Sequence, residues 1–204
     1  MRAEEPWRDP LLEAWPPRGE VVVFDLEYTA WEGSWERGWS EPWEHREVIQ
    51  IGALRLDVSA GFKELDAFEI LVRPTVNSDL SDYIIRLTGI TNERLSVDGV
   101  PFDAAFSRFC SFVENATLWC NGLDGAVLRE NCRLNRLRFP YSHGRIRNIG
   151  PALAQACEPP RGSVVSGELP ELLGLSPSED KHSGLGDARS IARGLGELRR
   201  QGRV

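Results

Sequence analysis

Four consecutive apolar residues, Val21-Val22-Val23-Phe24, run straight into Asp25-Leu26-Glu27-Tyr28-Thr29. The β-branched run, bounded by Gly19, predicts a strand buried on both faces. Side chains alternate along a strand, so Asp25 and Glu27 project from the same face. Two carboxylates on one face of a core strand repel each other and are costly to bury. Two readings follow from this stretch alone. Either the pair holds something positive, or the strand ends at Phe24 and both acids are solvated.

The length of 204 residues, with 41% hydrophobic and 27% charged side chains, suits one core. Residues 1–17 hold four prolines and two tryptophans without periodicity, which predicts an irregular arm ahead of a single domain over 18–204. No apolar run approaches the roughly 18 residues of a membrane span. The first residues lack the apolar stretch of a signal peptide, and a cytoplasmic protein is expected. Cys110, Cys120, Cys132 and Cys157 show no CxxC spacing, which argues for free thiols and against zinc.

The net charge of −7 argues against a general nucleic-acid coat protein, but the charge is uneven. Residues 1–124 carry 11 basic and 23 acidic side chains, whereas residues 125–204 carry 13 and 8. Arg129, Arg133, Arg136, Arg138, Arg145 and Arg147 lie close together in sequence, with Glu130 as a local counter-charge. Such a cluster is either a solvated face or a track for phosphates.

Hydrophobic patterning predicts strands over 20–28, 47–57 and 63–73, with connections short enough for an antiparallel meander. Short helices follow at 81–87 and 92–95, then a longer one over 101–114 with Pro101 at its first turn. A strand over 116–120, a helix over 123–137 and an extended piece over 145–149 come next. Helices over 151–157, 168–173 and 185–201 complete the chain. Strands first, then alternating helix and strand, imply an α/β fold: a mixed sheet flanked by helices.

Three further candidates fall at informative places. Asp124 follows Asn121-Gly122-Leu123, where a strand passes into a helix, and sites of open α/β sheets collect at such strand ends. His182-Ser183-Gly184-Leu185-Gly186-Asp187 puts an imidazole in a glycine-containing loop and a carboxylate in the first turn of the last helix. Singly, each is ordinary: an exposed polar loop residue, or an acid complementing a helix dipole.

In order, Asp25-x-Glu27, Asp124 and His182-x4-Asp187 resemble the three motifs of the DEDDh 3′–5′ exonucleases, a superfamily with a ribonuclease-H-like fold. The tyrosine subclass would need Tyr four residues before Asp187, where this chain has Ser183. Leu87-Thr88-Gly89-Ile90-Thr91 looks like the family's nucleotide-wedge loop. The segments Asn131–Pro140, Arg147–Ile149 and His182–Ala192 look like the histone-mRNA and small-RNA 3′ exonuclease branch. The similarity covers about residues 18–200. The chain departs from that branch at three places. Leu123 stands where an aromatic residue usually precedes the second-motif Asp, and Tyr28 stands where a small residue often follows Glu27. The loop from Ala30 to Glu44 is longer and richer in tryptophan.

The resemblance implies a chemistry. Two Mg²⁺ ions roughly 3.5–4 Å apart, replaceable by Mn²⁺, clamp an in-line phosphodiester displacement. Asp25 would bridge both, Glu27 and Asp187 would complete one site, and Asp124 would act largely through water on the other. His182, with a near-neutral reference pKa, suits proton abstraction from the attacking water. By the same analogy Glu27, Tyr28, Thr29, Leu87, Thr88, Leu123 and His182 would contact the last nucleotide. The six arginines between 129 and 147 are the candidate track for upstream phosphates. Trp31, Trp35, Trp39 and Trp43 recur every four residues, either as exposed stacking surfaces or as a cluster folded onto the domain.

The expected activity is a metal-dependent 3′–5′ exonuclease releasing nucleoside 5′-monophosphates from single-stranded or overhanging ends. The branch resemblance favours RNA. A DNA exonuclease of the proofreading or repair type is one alternative. A catalytically silent module that binds a partner through the tryptophan-rich loop is another.

Overall fold

The structure is a computed structural model that describes Trp15 and residues 18–142, 144–160 and 162–204. The expected arm over 1–17 lies outside the described residues except for Trp15, whose ring meets Trp119 edge to face at 5.4 Å. Five strands form one sheet: β1 (Glu20–Tyr28), β2 (Val48–Asp57), β3 (Lys63–Leu71), β4 (Thr117–Cys120) and β5 (Ile146–Asn148). Their order is β3-β2-β1-β4-β5. The first three strands pair antiparallel, as the short connections require, and β4 and β5 pair parallel to β1.

The helices in chain order are α1 (Ser34–Arg37), α2 (Asp82–Thr88), α3 (Asn92–Asp98), α4 (Phe102–Val113), α5 (Asp124–Leu134), α6 (Gly150–Cys157), α7 (Leu169–Leu172) and α8 (Gly184–Arg200). They flank the sheet on both sides, so β1 is central and doubly buried. Val22, Phe24 and Leu26 face the cluster built with Phe102, Phe106 and Phe109 of α4 and Val127 and Leu128 of α5. Val21 and Val23 face Ala188, Ile191, Leu195 and Leu198 of α8. By strand alternation Asp25 and Glu27 share the α8 face.

Helix α8 lies close enough to the sheet to exclude side chains at the crossing. A Cβ on Gly52 of β2 would stand 2.0 Å from the Gly184 carbonyl carbon, and one on Gly184 would stand 2.9 Å from the Asp25 carbonyl oxygen. The Gly184 N–H donates to Gln50 Oε1 at 2.8 Å, which fixes the start of the helix on β2.

Several elements differ from the sequence expectation, among them α3, which runs to Asp98 rather than 95. Strand β3 stops at Leu71 rather than 73, because Val72 bridges to Val100 and the Arg73 N–H bonds the Val100 carbonyl. Helix α5 stops at Leu134 rather than 137, where the chain turns through Arg136 in the left-handed region (φ 56°). The tryptophan-rich loop contains one helical turn, α1, framed by Gly33 and Gly38 at φ 76° and 63°. Among the described residues no helix is long and apolar enough to cross a membrane.

Candidate active site

Three elements converge on one buried acidic cluster. Asp25 and Glu27 come from the end of β1, paired with Gly52 and Gln50 of β2. Asp187 comes from the first turn of α8, whose close glycine-mediated approach brings that carboxylate to the strand. One ligand oxygen each from Asp25, Glu27 and Asp187 lies within 4.8 Å of the others. Asp124, at the start of α5 beyond β4, reaches back to β1 and accepts the Leu26 N–H at 3.0 Å. All four carboxylates are buried.

The cluster is short of positive charge. Burial pushes the Asp25 carboxyl well above its ordinary value, and Asp124, Asp187 and Glu27 push it further. Glu27 rises to about 8 through burial, then through Asp187 and Asp124. Asp124 rises to about 7 through burial, although backbone hydrogen bonds from Leu26 and from its own residue oppose the rise. Asp187 rises to about 6 through burial, against the His182 backbone and the Lys181 charge. Among the described residues no ion pair reaches any of the four, and Lys181 is itself paired to Glu171 at 2.6 Å. Asp187 Oδ1 is buried without a hydrogen-bond partner. A Cβ on Gly167 would come within 2.7 Å of that oxygen, so the glycine keeps room beside it. Hard oxygen donors, an orphaned oxygen and an uncompensated charge together fit a divalent cation.

The cluster forms the floor of a cleft of about 780 Å³, within the range of small-molecule sites. His182 lines this cleft; it is exposed and adopts φ 60°, an uncommon conformation for a residue with a side chain. Tyr28, Leu87 and Leu123 line it too. Thr29 and Thr88 do not line it, and both hydroxyls are engaged elsewhere. The Thr29 hydroxyl is buried between the His45 carbonyl and the Glu47 N–H, 2.5 and 2.9 Å away. The Thr88 hydroxyl donates back to the Ile84 carbonyl at 2.8 Å and accepts the Ile90 N–H, so it caps α2.

None of the six arginines lines the cleft itself. Arg145 clasps the Ala116 and Glu114 carbonyls at 2.8 and 2.6 Å, ahead of β4 and away from its carboxyl end. Arg129 lies over the Phe139 ring at 5.1 Å. Arg133 lines a separate pocket beside Arg46 and Glu130.

A model of the exonuclease family described as RNase_T matches residues 22–195, a span that includes all five DEDDh positions. The chain belongs to the RNase_T exonuclease family. Rat 3′-5′ exoribonuclease 1 is 29% identical over 185 residues, covering 85% of this chain and 51% of the rat protein. The chain thus spans about half the length of the curated relatives it matches. The nuclease domain of 3′hExo, a DEDDh family member solved bound to rAMP, superposes with a TM-score of 0.76. It is 25% identical, with 90% of this chain and 92% of that one covered. A 3′-exonuclease solved for its recognition of the histone mRNA stem-loop shares the fold, with a TM-score of 0.75 at 24% identity over 90% of this chain and 82% of that one. DEDDh exonucleases use divalent metal ions, in keeping with the acidic cluster.

For this RNase_T family chain, sequence reasoning missed the residues that hold the carboxylates in place. The Ser166 hydroxyl donates to Asp25 Oδ1 at 3.2 Å and accepts from Asn121 Nδ2 at 3.1 Å, while the same amide nitrogen bonds the Val164 carbonyl. Ser166 lies in a proline- and glycine-punctuated stretch without periodicity, so no pattern marks it. Gln50 and Gly52 were legible in principle: a polar residue and a glycine interrupt an apolar strand, a signal of close backbone approach.

Proposed function

We propose that the chain is a Mg²⁺-dependent 3′–5′ exonuclease that removes nucleotides from single-stranded RNA and releases nucleoside 5′-monophosphates. The observation that carries this reading is the uncompensated carboxylate cluster on the floor of an open cleft, with an imidazole also lining that cleft. Asp25, Glu27 and Asp187 would hold one ion, and Asp25 with Asp124 a second. When bound, these ions supply the charge that stabilises an in-line displacement at phosphorus. Ser166 holds the Asp25 carboxylate in orientation, and the Leu26 N–H holds that of Asp124. His182 takes the proton of the attacking water on its imidazole nitrogen. Tyr28, Leu87 and Leu123 shape the apolar part of the cleft around the terminal nucleotide. The preference for RNA is supported by relatives named as exoribonucleases and by the structural neighbour bound to rAMP. A cytoplasmic location is supported by the four free cysteines.

The test uses matched 5′-labelled RNA and DNA oligonucleotides, single-stranded and recessed, with Mg²⁺, Mn²⁺ or EDTA. The expected result is a one-nucleotide ladder shrinking from the 3′ end of single-stranded RNA, with no products in EDTA. Faster digestion of DNA overturns the substrate assignment. No digestion in any arm leaves the silent binding module as the better reading.

A further inference from the structure

The four tryptophans of the 31–43 loop divide two ways, and the division points to a substrate contact. Trp39 is 9% exposed and packs with Ala30, Ile49 and Ile84 in a small core, its Nε1–H donating to the Thr29 carbonyl at 3.1 Å. Trp31 packs against that same core. Trp35 and Trp43, by contrast, are 57% and 49% exposed. Only one of this exposed pair, Trp35, lines the cleft that holds the carboxylates.

Trp35 is joined to the acidic strand by a row of rings. The Tyr28 ring, one residue beyond Glu27, lies 5.7 Å from Trp39, and Trp39 lies 5.0 Å from Trp35, edge to face. The turn that carries Trp35 is held on all sides. Gly33 and Gly38 frame it in left-handed conformations. The fully buried Ser34 hydroxyl donates to Glu44 Oε1 at 2.7 Å and accepts the Trp31 N–H at 2.9 Å. The Arg37 guanidinium grips both Glu44 oxygens. An exposed ring on a locked turn gives up little conformational freedom when something stacks on it. On a chain that handles a single strand, the partner for such a ring is a nucleobase, since every base offers a π-face. Glu36 is the next residue in the chain and Glu32 is taken up by Arg86 at 3.7 Å. Leu123, which lines the same cleft and is exposed, offers an aliphatic side chain with no π-face, so it does not compete with Trp35 for stacking.

From these observations we infer that Trp35 is the base-stacking wall of the cleft and takes a nucleobase of the two 3′-terminal nucleotides of a single strand. This rests on the exonuclease reading.

The test measures anisotropy of 5′-fluorescein single-stranded RNA octamers with Mg²⁺, in the full chain carrying Asp25→Asn so that nothing is cut. Adding Trp35→Ala weakens affinity by roughly five- to a hundredfold, the range of one base–aromatic stack. Trp35→Phe recovers most of that loss. Trp43→Ala, which removes the exposed ring outside the cleft, matches the parent. With an octamer abasic at the last or the penultimate position, one of the two erases the Trp35→Ala penalty. In the wild-type background Trp35→Ala raises KM more than it lowers kcat. Equal affinity of the Trp35→Ala and Trp43→Ala proteins overturns the inference, as does a penalty that persists on both abasic strands. If wild type digests RNA while these arms fail, only the stacking assignment falls. If wild type neither binds nor digests any strand, the exonuclease reading falls with it.

Discussion

Two buried acidic centres in this molecule are built in opposite ways. Glu44, under the tryptophan loop, is gripped by Arg37 and hydrogen-bonded by Ser34, and these contacts, led by Arg37, hold its carboxyl down at about 2. Asp25, Glu27, Asp124 and Asp187 are buried together with one hydroxyl and a few backbone groups, and all four are pushed up. The first centre is complete within the chain and serves only to hold a turn. The second is a deficit that the chain does not fill. Buried carboxylates alone therefore do not mark a function; several packed together, with neither a cation nor a full set of donors of their own, mark a candidate site.

The contrast breaks most visibly at Asp25. Asp25→Asn removes the carboxylate nearest the centre and is expected to take metal-dependent hydrolysis below detection in the oligonucleotide assay; retained activity would break the cation-site reading. His182→Ala leaves the carboxylates intact, so turnover should fall about 10²–10⁴-fold, the usual worth of a general base, with metal affinity kept. A wild-type rate in that protein assigns the proton to another acceptor.

Stability against pH separates the centres next. The four clustered carboxyls have folded pKa values above their unfolded ones, so their contribution is present below the ordinary carboxylate range. It is lost as pH rises through about 6, 7 and 8 for Asp187, Asp124 and Glu27. The protein in EDTA should therefore lose Tm from pH 5 to 8, and saturating Mg²⁺ should flatten that slope. A slope unaffected by Mg²⁺ would mean that the cluster is not where the metal acts. The smallest effect is expected at the completed centre. Glu44→Gln should lower Tm by a few degrees, equally in EDTA and in Mg²⁺. A shift that depends on metal would join the two centres that the structure keeps apart.

Much of the site was legible before any coordinates. The run Val21–Phe24 reads as a core strand, and alternation then puts Asp25 and Glu27 on one face. The order and spacing of Asp124, His182 and Asp187 carried the rest of the motif. What the sequence left open was settled by contacts between distant segments. Whether Thr29 and Thr88 reach the cleft depends on which backbone groups compete for their hydroxyls, and nearby carbonyls and N–H groups won both. Of the arginines from 129 to 147, Arg129 lies over the Phe139 ring, Arg133 lines a pocket beside Arg46, and Arg145 holds carbonyls ahead of β4, contacts that no local pattern announces. The four-residue spacing of tryptophans left open exposed stacking surfaces or a cluster folded onto the domain; the loop does both, with Trp31 and Trp39 packed inward and Trp35 and Trp43 exposed. Ser166 reaches Asp25 from 141 residues away, a distance at which no local pattern operates.

The most direct measurement is calorimetric titration of the metal-free chain with Mn²⁺ at pH 7, in two buffers of different ionisation enthalpy. Binding with release of protons from the cluster, abolished by Asp25→Asn and preserved in Glu44→Gln, is the predicted result. Absence of binding, or equal binding by the Asp25→Asn protein, would contradict a cation site at these four carboxylates.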